Sequence, residues 1–225
     1  MSYPKNCMRK ALTQPSSLVY FDLETTGLNH YHNRIIEIAA AREQVDLKRH
    51  LSSTNSSTPQ TYQSFCHLGG DRLPHRITEL TGITKSTLRT APPEQHALRK
   101  FREFCGRTKE PLYLVAHNVE GFDKWFLQSR CFRNGLRIPS NWKYLDTIHL
   151  AKLLYPNLSS YSLAAMCRYF QIEQRSAHRA DDDVRCLRLL FHHLARKYQS
   201  QYQITTPIDS PETLEAMWQS TNFKR

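Results

Sequence analysis

The sequence predicts an α/β fold, one mixed β-sheet flanked by helices, and three observations predict it. Three short β-prone runs stand close together near the start, the apolar spacing becomes helical beyond Pro74, and helical and strand patterns then alternate. The first run, 18–21, ends in the polar turn Thr25-Thr26-Gly27. Residues 34–41 and 61–67 read as the second and third strands, near enough to favour an antiparallel meander. Between them the polar tract 51–59 has nothing to bury and reads as a flexible connection. Pro92-Pro93 opens a helix over 94–106, where Leu98, Phe101, Phe104 and Cys105 have helical spacing. A buried strand at 112–116, a helix over about 122–134 and a short strand at 144–145 come next. Helices follow at 147–154, 161–170 and 180–199, with a further short one starting near Pro211. This layout gives one domain at 17–200, a flexible N-terminal arm at 1–16 and a C-terminal extension at 201–225.

A chain of 225 residues is long enough for one well-cored domain. Its 31 Lys and Arg against 20 Asp and Glu give a net charge of +11. Such an excess favours a polyanionic partner, although a surface that is basic for solubility has the same composition. No apolar run approaches the roughly 18–20 residues that span a bilayer. Lys5, Arg9 and Lys10 are followed by no apolar stretch, so no secretory signal is expected. The six cysteines form no C-x-x-C pair. That argues against a zinc knuckle or a disulfide-stapled fold and for an intracellular compartment, cytoplasmic or nuclear.

Three acidic segments carry the chemistry. In Phe21-Asp22-Leu23-Glu24, strand alternation turns Asp22 and Glu24 to one face and Leu23 into the core. Two neighbouring carboxylates repel each other unless a divalent cation neutralises them, and oxygen-rich sites suit Mg²⁺ or Mn²⁺. Taken alone, the pair also reads as two unrelated acids at an exposed strand end. The second segment, His117-Asn118-Val119-Glu120-Gly121-Phe122-Asp123, leaves a buried strand and enters a helix at Asp123. Functional groups gather at such strand ends, though an acid there also suits the helix dipole. In the third, His178-Arg179-Ala180-Asp181-Asp182-Asp183, an imidazole precedes a helix and Asp183 lies about a turn inside it. Histidine is matched to proton transfer near neutral pH. An acidic N-cap cluster remains open for Asp181 and Asp182.

Taken in order, the three segments resemble the DEDDh branch of the DnaQ-like 3′→5′ exonucleases, which have a ribonuclease-H-like fold. The resemblance runs from about Leu18 to Ala195. It implies metal ligation by Asp22, Glu24, Asp123 and Asp183, with His178 as general base and all five as catalytic residues. It further implies two Mg²⁺ ions per site, replaceable by Mn²⁺, and hydrolysis that releases nucleoside 5′-monophosphates. The six-residue step from His117 to Asp123, and Phe126-Leu127-Gln128 beyond it, look like those of the animal TREX-type DNA exonucleases. The segment 77–84, ITELTGIT, is similar to an element that holds the terminal nucleotide in those enzymes. By that likeness Thr25, Leu28, Leu80 and Asn118 contact substrate, Leu28 and Leu80 wedging against the last base; for Leu80, ordinary core packing is an equal alternative. A homodimer is implied by the same likeness. Neither the proline-rich internal loop nor the C-terminal membrane anchor of TREX proteins is expected from these residues.

Other polar residues carry lesser expectations. Asp146-Thr147 reads as a helix N-cap, with a supporting contact to the metal site as the alternative, His117 as a turn-orienting group and Glu120 as a solvated loop residue. Lys124, Arg130, Arg133 and Arg137 read as a phosphate track or a solvated helix face. His192-His193 has no ligand partner at suitable spacing. The expected function is 3′→5′ hydrolysis of DNA ends, preferably single-stranded. An RNA-trimming exoribonuclease shares the same catalytic residues. A proofreading subunit is a further reading within this chemistry, and an inactive nucleic-acid-binding module would have lost carboxylates that are intact here.

Overall fold

A computed structural model describes residues 18–43, 59–176 and 178–222. The N-terminal arm expected at 1–16 and all but the last residue of the tract expected at 51–59 lie outside the described residues.

Five strands, β1 (Leu18–Thr25), β2 (Ile35–Arg42), β3 (Gln60–Phe65), β4 (Leu112–Ala116) and β5 (Trp142–Asp146), form one sheet in the order β3-β2-β1-β4-β5. The meander is antiparallel, and β1 pairs parallel with β4, as β4 does with β5. The helices are α1 (His75–Thr81), α2 (Lys85–Arg89), α3 (Glu94–Cys105), α4 (Asp123–Arg133), α5 (Thr147–Leu154), α6 (Leu163–Tyr169), α7 (Ala180–Tyr202) and α8 (Pro211–Asn222). The mixed sheet flanked by helices is that of the ribonuclease-H-like exonucleases. The helices α1 and α2 are additions to the sequence expectation. Each is short and polar on most faces, so its apolar period is too brief to stand out.

Strand alternation divides the core in two. Leu18 and Tyr20 of β1, with Ala39 and Ala41 of β2, pack beneath α7 and α8. Val19, Phe21 and Leu23 face the other way, against α3 and α4. Asp22 and Glu24 therefore continue the face that α7 covers, and they emerge where its first turn arrives. A small third cluster, including Ile36, Leu73, Ile77, Ile83 and Leu88, seats α1 and α2 beside this end of the sheet. Gly82 closes α1 with φ +70°, a left-handed value that costs glycine little.

The α8 segment is tied to the β4–β5 side of the sheet. Tyr113 Oη and Lys143 Nζ both donate to Glu215 Oε2, at 2.5 and 2.6 Å. Leu214 and Met217 are buried in the same core as α7.

Candidate active site

All nine sequence-nominated site residues, Asp22, Glu24, Thr25, Leu28, Leu80, Asn118, Asp123, His178 and Asp183, line a single cleft of about 780 Å³. Three separate elements deliver its acids. Asp22 and Glu24 come from β1, Asp123 opens α4 at the end of the β4 turn, and Asp183 is in the first turn of α7.

Crowding governs the electrostatics. Burial, then the charges of Asp183 and Glu37, pushes the Asp22 carboxyl up to about 8. Burial and the charge of Asp22, followed by those of Asp183, Glu37 and Asp123, push Glu24 up to about 9. Burial and Asp22 hold Asp123 well above the usual carboxylate range. Asp183 is raised by burial and is relieved in part by a hydrogen bond from Gln174 Nε2, 2.9 Å from Oδ1. Such a set is under electrostatic stress while it lacks a cation. Glu24, His178 and Asp183 each present a potential ligand atom within 4.8 Å of the others. The carboxylate oxygens of Glu24 and Asp183 are hard donors that fit a divalent cation of the Mg²⁺ or Mn²⁺ type, while His178 offers a ring nitrogen beside them.

The third motif is held by its own acids, each with a different role. Asp182 Oδ2 accepts the backbone N–H groups of Arg175 and Ser176 at 2.7 and 2.8 Å, clamping the approach loop, while Oδ1 receives Arg185. Asp183 Oδ2 accepts the backbone N–H of His178 at 3.0 Å. Asp181 is exposed. His178 has φ +61°, a left-handed backbone held against a cost of roughly 1–2 kcal/mol. Its side chain stands exposed at the rim of the cleft.

The second motif is organised by Asp146. Its carboxylate accepts the backbone N–H groups of Asn118 and Glu120, both at 3.1 Å, as well as that of Ile148 at the start of α5. One side chain thus caps a helix and shapes the turn that presents Asp123. The turn accommodates its six-residue span with Asn118 at φ +79°. At Gly121 an added Cβ would come within 2.5 Å of Asn118 Oδ1. His117 is held between Thr147 Oγ1 at 2.8 Å and the Tyr161 carbonyl at 2.7 Å, and burial lowers its pKa. A neutral imidazole fixed on both nitrogens anchors the turn.

Two partners of the site escaped the sequence reading. Glu37 is fully buried on β2, opposite Glu24 in the strand pair. It accepts from Gln63 Nε2 at 2.7 Å, and from Arg179 Nη2 and the Ala180 N–H at 3.4 Å. It therefore links the sheet to the loop carrying His178. A lone acid in the apolar strand IIEIAAAR was the available signal. Gln174 lacked any such signal, because nothing in the spacing aims it at Asp183.

Four expectations change in detail. Arg130 is no phosphate contact: its guanidinium is buried against Glu94 through bonds of 2.8 and 2.6 Å. Glu120 is half-buried and receives Lys124 Nζ at 2.9 Å. His192 has a partner remote in sequence, Glu43 Oε1 at 2.5 Å. Leu80 is 49% exposed, which sets aside core packing as its alternative.

Comparison with known proteins places this arrangement among nucleases. The RNase T family model, described as an exonuclease, matches residues 19–191. The chain is 37% identical over 177 residues to a PolC-type DNA polymerase III of Lactococcus lactis, and 36% identical over 165 residues to that of Halalkalibacterium halodurans. These matches take in 78% and 73% of this chain but only 10% of each polymerase. Among solved structures, E. coli exonuclease I in complex with a dT13 oligonucleotide aligns with TM-score 0.68 at 17% identity, over 88% of this chain and 45% of that one. The nuclease domain of 3′hExo, a DEDDh family member bound to rAMP, aligns with TM-score 0.64 at 18% identity, over 82% of this chain and 92% of that one.

Proposed function

The chain belongs to the RNase T exonuclease family, and on that premise we propose that it is a DnaQ-like DEDDh enzyme that removes nucleotides one at a time from the 3′ ends of single-stranded DNA. The observation that carries the proposal is the convergence of Asp22, Glu24, Asp123, His178 and Asp183 on one cleft. Asp22, Glu24, Asp123 and Asp183 would hold two Mg²⁺ ions, for which Mn²⁺ could substitute. When bound, the ions supply charge neutralisation at the scissile phosphate and acidify water.

The side chains divide the remaining work. His178 takes the proton of the attacking water as the new P–O bond forms and the bond to the departing 3′ oxygen breaks, leaving a nucleoside 5′-monophosphate. Leu28 and Leu80, both exposed in the lining of the cleft, bracket the terminal base. Thr25 Oγ1 already donates to the Gly27 carbonyl at 2.7 Å, so it meets substrate as an acceptor. Asn118 offers its amide to the sugar-phosphate backbone.

DNA is favoured over RNA because relatives of 31–37% identity are DNA polymerases. That likeness supports a second reading, in which the same reaction proofreads a polymerase's 3′ terminus with the polymerase as partner. The RNA-trimming reading draws on the 3′hExo domain bound to rAMP, a likeness in fold. The net charge of +11 accords with a nucleic-acid partner. No described helix is long and apolar enough to cross a membrane. The five described cysteines are free and buried, which accords with a reducing cytoplasmic or nuclear location.

Oligonucleotides of DNA and RNA, labelled at either end, distinguish these readings. The proposal predicts a descending ladder from 5′-labelled single-stranded DNA, immediate mononucleotide release from 3′-labelled DNA, and slower cutting of RNA. Faster cutting of RNA would transfer the assignment to RNA trimming, and a ladder from the 3′ label would reverse the polarity.

A further inference from the structure

Beyond Leu28, the wall of the cleft continues into an aromatic shelf that the catalytic reading leaves unused. The β1–β2 turn runs from Leu28 through His30 and Tyr31 and is closed by its own hydrogen bonds. Asn29 receives the backbone N–H of Asn33 at 2.8 Å, and its own N–H donates to Asn33 Oδ1 at 3.0 Å. An added Cβ at Gly27 would come within 2.8 Å of Asn33 Oδ1, so the turn is tightly closed. The turn is docked on α4, where Ser129 Oγ donates to the His30 carbonyl at 2.8 Å. There the His30 ring lies 4.1 Å from Tyr31 and stacks on Trp125 at 6.0 Å with an interplanar angle of 27°. Trp125 is itself pinned by its indole N–H, which donates to the Glu120 carbonyl at 2.9 Å.

Two of these rings are open to solvent, Tyr31 at 61% and Trp125 at 44% exposed, with the half-buried His30 wedged between them. Rigid, exposed aromatic faces are what a single strand needs, since stacking is sequence-tolerant and loses little entropy when the platform is preformed. Charge favours the same occupant. The chain as a whole carries +11, although the nearest ammonium, Lys124 Nζ at 5.6 Å from the Trp125 ring centroid, is paired with Glu120. Continuity completes the argument, because Leu28 belongs both to the cleft wall and to the turn bearing Tyr31.

We propose that Tyr31, His30 and Trp125 form a stacking site for unpaired bases of the strand that enters the cleft, outside the nucleotide being removed. It rests on the nuclease reading of the cleft. The occupant is single-stranded nucleic acid, and the site acts on grip rather than on chemistry.

The test uses Trp125→Ala and Tyr31→Ala in the full chain, with two readouts. Binding of a fluorescein-labelled dT20 is measured by anisotropy with Ca²⁺ in place of Mg²⁺, so that it does not depend on turnover. Steady-state cleavage is then compared between dT20 and a dinucleotide. Each variant is expected to weaken dT20 binding about tenfold, within the range for loss of one base stack. KM for dT20 should rise in parallel, kcat should stay within about twofold, and dinucleotide cleavage should be unchanged. Unaltered dT20 binding in both variants would overturn the proposal, as would an equal loss on the dinucleotide, which would make the shelf a support for Leu28. Trp125→Phe, which keeps a stacking face, should restore most of the binding, and failure to do so would also count against it. Were the wild type to bind dT20 through these residues without cutting it, the nuclease reading would fail and the stacking site would stand.

Discussion

At the level of single residues, the site is a contest between like charges that the backbone forces together. Asp22 and Glu24 titrate near 8 and 9 because burial and neighbouring acids penalise their charged forms. Groups raised in this way favour the folded state while protonated and disfavour it as pH rises through those values. The metal-free protein should therefore lose stability between roughly pH 4 and pH 9 on their account, and a divalent cation, which needs the ionised carboxylates, should oppose the loss. Thermal denaturation should show a larger gain in Tm from added Mg²⁺ at about pH 8 than at about pH 6; equal gains would contradict the crowding. His178 is distinct, being exposed although its ring reaches within 4.8 Å of Glu24 and Asp183. His178→Ala should lower kcat roughly 10²–10⁴-fold with little change in oligonucleotide binding, whereas loss of binding with retained kcat would make it a substrate contact. That the carboxylates and this histidine share one cleft was expected from the sequence only through the ordered family resemblance, since each acidic segment alone had an ordinary structural explanation. Glu37 and Gln174 were not expected, since their roles depend on side-chain reach across β2, β3 and the third-motif loop.

At the level of elements, the cleft depends on how α3, α4 and β2 are locked together behind it. Glu94 of α3 accepts both guanidinium bonds of Arg130 on α4, and the Ile35 N–H of β2 at 3.3 Å. Both side chains are buried, so removing one partner strands the other's charge. Glu94→Ala should cost about 3–5 kcal/mol in denaturant unfolding; a loss below about 1 kcal/mol would mean that the guanidinium finds another partner or water. Arg130 shows why a basic helix cannot be read as a phosphate track from spacing alone: its partner lies 36 positions earlier in the chain. The strands and long helices were legible because their apolar periods are sustained. By contrast α1 and α2, seven and five residues long, are fixed by tertiary contact through Ile77, Ile83 and Leu88, and so carried no sufficient local signal.

Over the whole molecule, one sheet with helices on both faces explains why the chemistry collects at one end. The face of β1 that is apolar at Leu18 and Tyr20 becomes acidic at Asp22 and Glu24, where α7 begins and where β4 hands over to the turn before α4. The alternation that buries the first half of the strand aims its second half at the cleft. Parallel pairing of β1 with β4 then brings the second motif beside the first, at the strands' carboxyl ends. That convergence depends on pairing between strands more than 90 residues apart, which spacing could suggest only through the family resemblance. The most direct test follows 5′-labelled single-stranded DNA over time with Mg²⁺, comparing wild type with Asp22→Asn, an isosteric change that removes one charge from the centre of the cluster. The account predicts a stepwise ladder from the wild type, abolished by EDTA, and a rate at least roughly 10³-fold lower from the variant with DNA binding retained. A ladder from Asp22→Asn at near wild-type rate would contradict it.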